Sequence, residues 1–163
     1  MNRDQQKAVG LVELLFVVAL LGILLSLAIP AFARFQENKR HESTRDLLAS
    51  HIQKTRTNAI TQGRPHKLCG SSDGAICDGD WSSYWLITTA GDEPTILSQQ
   101  AAPTGNICRI GFGSDSVSFH PNGTSWVSNG TIFICNSNGP HQLLTLNRQG
   151  RLKLGTSHTS QCC

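Results

Sequence analysis

Three cations stand close together near the C-terminal end of the chain. They are Arg148, Arg151 and Lys153, in the stretch LLTLNRQGRLKL over residues 143–154. Alternation along a strand places Arg151 and Lys153 on one face and Leu152 and Leu154 on the other. The two cations then lie about 7 Å apart along the strand. Arg148 sits just across a turn. The last 48 residues hold no Asp or Glu, so this positive charge is uncompensated. Such an edge suits contact with phosphate groups. Charge of the same kind also guards an edge strand against aggregation. On charge alone the two readings are even.

The cysteines offer a second chemistry. All six lie beyond residue 68: Cys69, Cys77, Cys108, Cys135, Cys162 and Cys163. That placement fits an oxidising compartment. There is no C-x-x-C pair, and the spacings match no common zinc pattern. The loop from Cys69 to Cys77 is polar and rich in turn residues, which points to a local disulfide. Cys135 with Cys162 or Cys163 would tie the tail to a sheet, and Cys108 would take a remaining partner. Six cysteines allow about 15 pairings, so the last two assignments stay open. The six histidines are scattered, and none stands at metal spacing with another His or a carboxylate. No nucleophile elbow, P-loop or complete dinucleotide fingerprint is present. The expectation is no enzyme activity, no cofactor and no metal.

These groups must be positioned by the rest of the chain, which falls into blocks. Overall it has 163 residues, 15% charged, with a formal net charge of +3. A typical soluble domain carries about 25% charge. The length allows one domain, or one domain with an anchor, and excludes a large multidomain enzyme. Residues 34–69 hold eight basic and three acidic side chains, and residues 70–115 hold one basic and six acidic.

Residues 14–33 form an uncharged run of 20 whose one polar side chain is Ser26. As a helix it spans about 30 Å, the thickness of a bilayer's hydrocarbon core. A cleaved secretory signal is the competing reading, but the run exceeds an h-region of about 7–15 residues. Helical patterning also continues past it through Arg34 to Glu37. The flanking cations (Arg3 and Lys7 before, Arg34, Lys39 and Arg40 after) do not fix an orientation. Glu13 opens this run among Leu and Val. It either rests at the interface, favoured by the helix dipole, or pairs with a cation on another chain.

Beyond the apolar run, Leu47, Leu48, Ile52 and Ala59 keep an approximate helical stripe. Gly63 followed by Pro65 is a stop signal. The pattern predicts one long helix from about residue 10 to 62, kinked near Pro30. Its basic residues Lys39, Arg40, Arg45, Lys54, Arg56 and Arg64 read as a solvated face. After Gly63 the helical period is lost, and strand-like runs appear at 84–89, 107–112, 117–120, 131–135, 142–147 and 151–154. Trp81, Trp85, Trp126, Phe112, Phe119 and Phe133 are the expected aromatic core. The fold class is therefore α+β: a long N-terminal helix, transmembrane then amphipathic, packed on a small antiparallel β-sheet domain.

The stretch from Lys7 to Val18, KAVGLVELLFVV, resembles the leader and cleavage signal of type IV prepilins and type II secretion pseudopilins. In that family a prepilin peptidase removes a short basic leader. The new N-terminal residue is methylated, and a glutamate is the fifth mature residue. Counting back from Glu13, the resemblance implies cleavage between Ala8 and Val9 and N-methylation of Val9. Counting forward, Pro30 becomes mature residue 22, where the family commonly carries a proline. The resemblance further implies that Glu13 pairs with the N-terminal amine of a neighbouring subunit in a filament. The family usually has Gly before the cut and Phe after it, in place of Ala8 and Val9.

The whole layout resembles the FimT/GspH group of minor pilins and pseudopilins. The resemblance rests on the N-terminal signal, the Cys69–Cys77 loop followed by Trp81, the stretch from Phe119 to Thr124, and the Gly150-Arg151 turn. FimT-type members that bind DNA in natural transformation carry a G-R-x-R motif. Here it reads Gly150-Arg151-Leu152-Lys153, with Lys replacing the last Arg. The resemblance implies a leader over 1–8, a transmembrane and filament-core helix over 9–35, an amphipathic helix over 36–62 and a β-rich domain over 63–163. It implies a single-pass protein of the bacterial inner membrane with a periplasmic C-terminal domain, assembled in a pilus or pseudopilus. The implied partners are other pilin or pseudopilin subunits, the prepilin peptidase and, through Arg148, Arg151 and Lys153, the DNA backbone. The alternative is a structural pseudopilin of a type II secretion system that binds no DNA.

Overall fold

A computed structural model describes residues 10–91, 93–103, 106–125, 127–137 and 139–158. Ala8, Val9, Trp126, Cys162 and Cys163 lie outside the described residues. The chain divides between Glu37 and Asn38 into two units.

Helix α1 runs over Leu11–Gln62, as the apolar run and the stripe predict. It ends where Gly63 takes φ 63°, the left-handed cap geometry that glycine adopts without a Cβ penalty. Pro30 lies inside the helix. Having no N–H, it cannot bond the carbonyl of Ser26 one turn earlier. Helical structure nevertheless continues through it. In the first unit every residue from Gly10 to Gln36 is exposed. An 18-residue window there has a mean hydropathy of 2.8 and is 0% buried. Such a surface has no stable place in water and needs a bilayer or other helices around it.

In the second unit, α1 buries Thr44, Leu48, His51, Ile52, Thr55 and Ala59. Their spacing of mostly three and four residues keeps them on one face. The two buried threonines stay satisfied by bonding back one turn: Thr44 Oγ1 donates to Arg40 O at 3.0 Å and Thr55 Oγ1 to His51 O at 2.8 Å.

Among the described residues eight strands follow: β1 (His66–Ser71), β2 (Tyr84–Thr89), β3 (Ile96–Ala101), β4 (Ile107–Ile110), β5 (Ser116–Phe119), β6 (Gly130–Ile134), β7 (His141–Leu146) and β8 (Leu152–Ser157). They form two four-stranded antiparallel sheets, β3-β2-β1-β5 and β4-β6-β7-β8. The six predicted strands are all present, 84–89 with the predicted bounds and the other five with shifted ends. Two strands, β1 and β3, were not expected. One core joins both sheets to the helix: Leu48, Ile52 and Ala59 meet Leu68, Trp85, Ile87, Val117 and Phe119 from the first sheet, and Ile132, Ile134, Leu144 and Leu146 from the second. Each fully buried side chain of this size contributes about 1.5–3 kcal/mol. Trp81, Trp85 and Phe119 are core residues as expected. Phe112 and Phe133 are only half-buried. Phe133 falls on the opposite face of β6 from Ile132 and Ile134, because successive strand residues alternate.

Cys69 and Cys77 form the expected disulfide, with Cα atoms 5.6 Å apart. The loop they close is capped by aspartates. The Asp73 carboxylate accepts the backbone N–H groups of Ala75 and Ile76, at 2.8 and 3.0 Å, and the hydroxyl of Ser71. Asp78 accepts the Ser72 hydroxyl and the N–H groups of Asp80 and Ser72. These bonds, which favour the charged form, hold both carboxyls below the ordinary aspartate range. Cys108 and Cys135 are also disulfide-bonded. By register Cys108 faces Phe133, so Cys108 and Cys135 share the outer face of the second sheet.

Candidate nucleic-acid interface

The three predicted cations are brought onto one hairpin, between β7 and β8. Asn147 N donates to Arg151 O at 3.1 Å and Gly150 N to Asn147 O at 2.9 Å. Gly150 has φ 76°. This is a three-residue loop ending in a left-handed glycine, one of the common hairpin connections. The Asn147 side chain reinforces it by accepting the Arg151 N–H at 2.8 Å. Arg148, Arg151 and Lys153 are all exposed, and Leu152 packs against the core. Leu154 shares the face of Leu152 but is 43% exposed, because β8 is the edge strand.

A second loop of the same design adjoins the first. His120 N donates to Thr124 O at 2.9 Å and Gly123 N to His120 O at 2.8 Å, with φ 77° at Gly123. Asn122 Oδ1 accepts the N–H of Thr124 at 3.1 Å and its hydroxyl at 2.8 Å. The two loops are joined. Ser125 N donates to Arg148 O at 3.0 Å and Ser125 Oγ to Asn147 O at 2.7 Å. A Cβ on Gly150 would overlap the carbonyl oxygen of Gly123.

Arg56 closes the assembly from the helix. Its Nε donates to Gly123 O at 2.9 Å and its Nη2 to Gln149 O at 3.3 Å. The planar guanidinium thus ties one helix to both loops, a geometry that a lysine ammonium cannot reproduce. Arg56 is half-buried, so the expectation of a solvated basic face is corrected here. Arg45 departs from it too. Its side chain is 13% exposed, pairs with Asp46 at 2.7 Å and donates to Gln142 Oε1 at 2.8 Å. Lys39 and Lys54 keep to the expectation, on the exposed surface.

The sequence reading did not identify Arg56, Gly123 or Ser125 as parts of this site. One signal for them was present: both loops carry glycine at the same place, in Pro121-Asn122-Gly123 and Arg148-Gln149-Gly150. Glu13 is exposed in the first turn of α1, where its charge complements the helix dipole. Among the described residues no group of His, Cys, Asp and Glu could hold a metal ion.

An exposed apolar N-terminal helix followed by two small antiparallel sheets is the pilin fold. The chain belongs to the family described as Type II transport protein GspH, whose model matches residues 44–150. The match ends at Gly150, just before Arg151 and Lys153. The fold is similar to that of the Pseudomonas aeruginosa type IV minor pilin FimU in two crystal forms. In one the TM-score is 0.59 at 19% identity, covering 78% of this chain and 99% of that one. In the other the TM-score is 0.56 at 19% identity, covering 74% and 99%. The minor pseudopilin EpsH of the Vibrio cholerae type 2 secretion system is similar with a TM-score of 0.53 at 11% identity, covering 72% of this chain and 97% of that one. No curated protein sequence matches the chain. The protein is therefore a member of the GspH family with the pilin fold.

Proposed function

We propose that this subunit joins a type IV pilus and binds DNA without sequence preference through Arg148, Arg151 and Lys153, for uptake in natural transformation. The observation that carries the reading is the exposed basic hairpin in a stretch, residues 116–163, without a single acid. Three cations on one rigid edge suit the phosphate backbone, which carries no sequence information and is held by charge. Arg148 and Arg151 can each engage a phosphate with two parallel hydrogen bonds, whereas Lys153 acts as a point charge. The chain is cut between Ala8 and Val9 by a prepilin peptidase and methylated at Val9. Its apolar helix then sits in the inner membrane, with the β domain in the periplasm, until the subunit enters the filament. There Glu13 pairs with the N-terminal amine of a neighbour, since two opposite charges are tolerated together where one alone is not. Pro30 has no N–H to offer the Ser26 carbonyl, which eases local melting of the helix on assembly. Loss of DNA binding on replacing the three cations by alanine tests the DNA reading. Loss of filament incorporation in Glu13→Ala, with membrane insertion retained, tests the assembly reading.

The GspH family match favours a second reading, a structural pseudopilin of a type II secretion system. In that case the basic hairpin protects an edge strand, and its replacement leaves DNA binding unchanged.

A further inference from the structure

Between the two glycine-ended loops lies an open cleft of about 390 Å³, lined by Asn122, Thr124, Arg148 and Gln149. Each of the four carries a side-chain hydrogen-bond donor, and none is a carboxylate. Asn122 Oδ1 is occupied by the N–H and hydroxyl of Thr124. That contact fixes the amide's orientation and leaves both Nδ2 hydrogens available. Gln149 engages Arg56 through its backbone carbonyl alone, which leaves its side-chain amide available. Arg148 is held through its own carbonyl by Ser125 N, so its backbone is fixed while its guanidinium stays exposed. A cluster of two amides and a guanidinium, with no carboxylate among the lining residues, offers donors to an oxyanion and none of the negative charge that would hold a cation.

We infer that this cleft seats one phosphodiester of a bound nucleic acid, with Arg148, the Asn122 amide and the Gln149 amide as its three donors. The inference rests on the DNA-binding reading above and extends the interface from the tail to the β5–β6 turn. Arg56 takes no part as a ligand. Two of its donors are spent on Gly123 O and Gln149 O, so it holds the walls of the cleft at their spacing.

The amides bring no charge and release no counterion, which separates them experimentally from the cations. The test is binding of a 20-base-pair DNA duplex to the full chain in non-ionic detergent, across a salt series. The variant Asn122→Ser/Gln149→Met keeps a hydroxyl acceptor for the turn and the length of the second side chain. Its affinity should fall roughly tenfold, with the slope of log affinity against log salt unchanged. Unchanged affinity in this variant, while Arg151→Ala/Lys153→Ala lowers both affinity and slope, overturns the cleft and leaves the tail reading intact. No binding by the unaltered chain overturns both. An unchanged melting temperature confirms that the amide variant is folded.

Discussion

Gly150 of the basic hairpin packs against the carbonyl oxygen of Gly123, so closely that a Cβ on Gly150 would overlap it. Two loops of the same design thereby become one rigid body, closed on the helix side by Arg56. The position of the three cations is a consequence of this contact.

Replacing Gly150 by Ala should therefore cost stability twice. A side chain at φ 76° costs on the order of 1–3 kcal/mol, and the overlap with Gly123 O forces the loops apart. Thermal unfolding should show a melting temperature lower by several degrees. DNA affinity should fall with it, although no charge has been removed.

Arg56→Lys keeps the charge and loses the fork. The hairpin should loosen, which hydrogen exchange at the amides of Gly123 and Gly150 reports as faster exchange. Each bond lost contributes about 0.5–1.5 kcal/mol, more for a charged donor. Unchanged exchange at both amides would show that Arg56 does not brace the loops.

How much of this was legible in the sequence follows from the range of the interactions. The long helix and its end were legible, because apolar run, stripe and Gly63 are local signals. β7 and β8 were legible from alternation and from the turn between them. β1 reads HKLCGS and shows no clean alternation, because five of its six residues are buried. β3 reads ILSQQA as an edge strand with exposed Ile96 and Leu97, so its apolar residues do not mark an inner face. The division into two sheets depends on pairings such as β1 with β5, far apart in the chain. The role of Arg56 was hidden for the same reason. Its partners lie 67 and 93 residues away, and nothing local distinguishes a strut from a solvated cation.

The disulfide loop carries a prediction in pH. Asp73 and Asp78 are held below the ordinary aspartate range by bonds to their charged forms. A carboxyl lowered in the folded state stabilises it above the unfolded pKa and loses that effect as pH falls through the folded one. The amides of Ala75, Ile76 and Asp80 should stay protected through pH 5 and lose protection below about pH 4. Hydrogen exchange at these three amides across that window checks it. Protection that falls already between pH 7 and 5 would contradict the assignment.

Cys69→Ser/Cys77→Ser should lower stability by about 2–3 kcal/mol, the loop-closure value for a loop this short. Denaturant unfolding under non-reducing conditions measures it. The basic hairpin belongs to the other sheet, so DNA affinity at 25 °C should be retained.

The central claim is that the hairpin cations hold DNA. It is tested most directly by the salt dependence of duplex binding for the full chain and for Arg148→Ala/Arg151→Ala/Lys153→Ala. The claim predicts that the unaltered chain loses affinity steeply with salt and that the triple variant binds much more weakly. The slope of log affinity against log salt should be shallower by about 2–3 in the variant, one counterion per lost phosphate contact. Equal affinity and equal slope in the two proteins would contradict it and leave the basic hairpin as an edge guard.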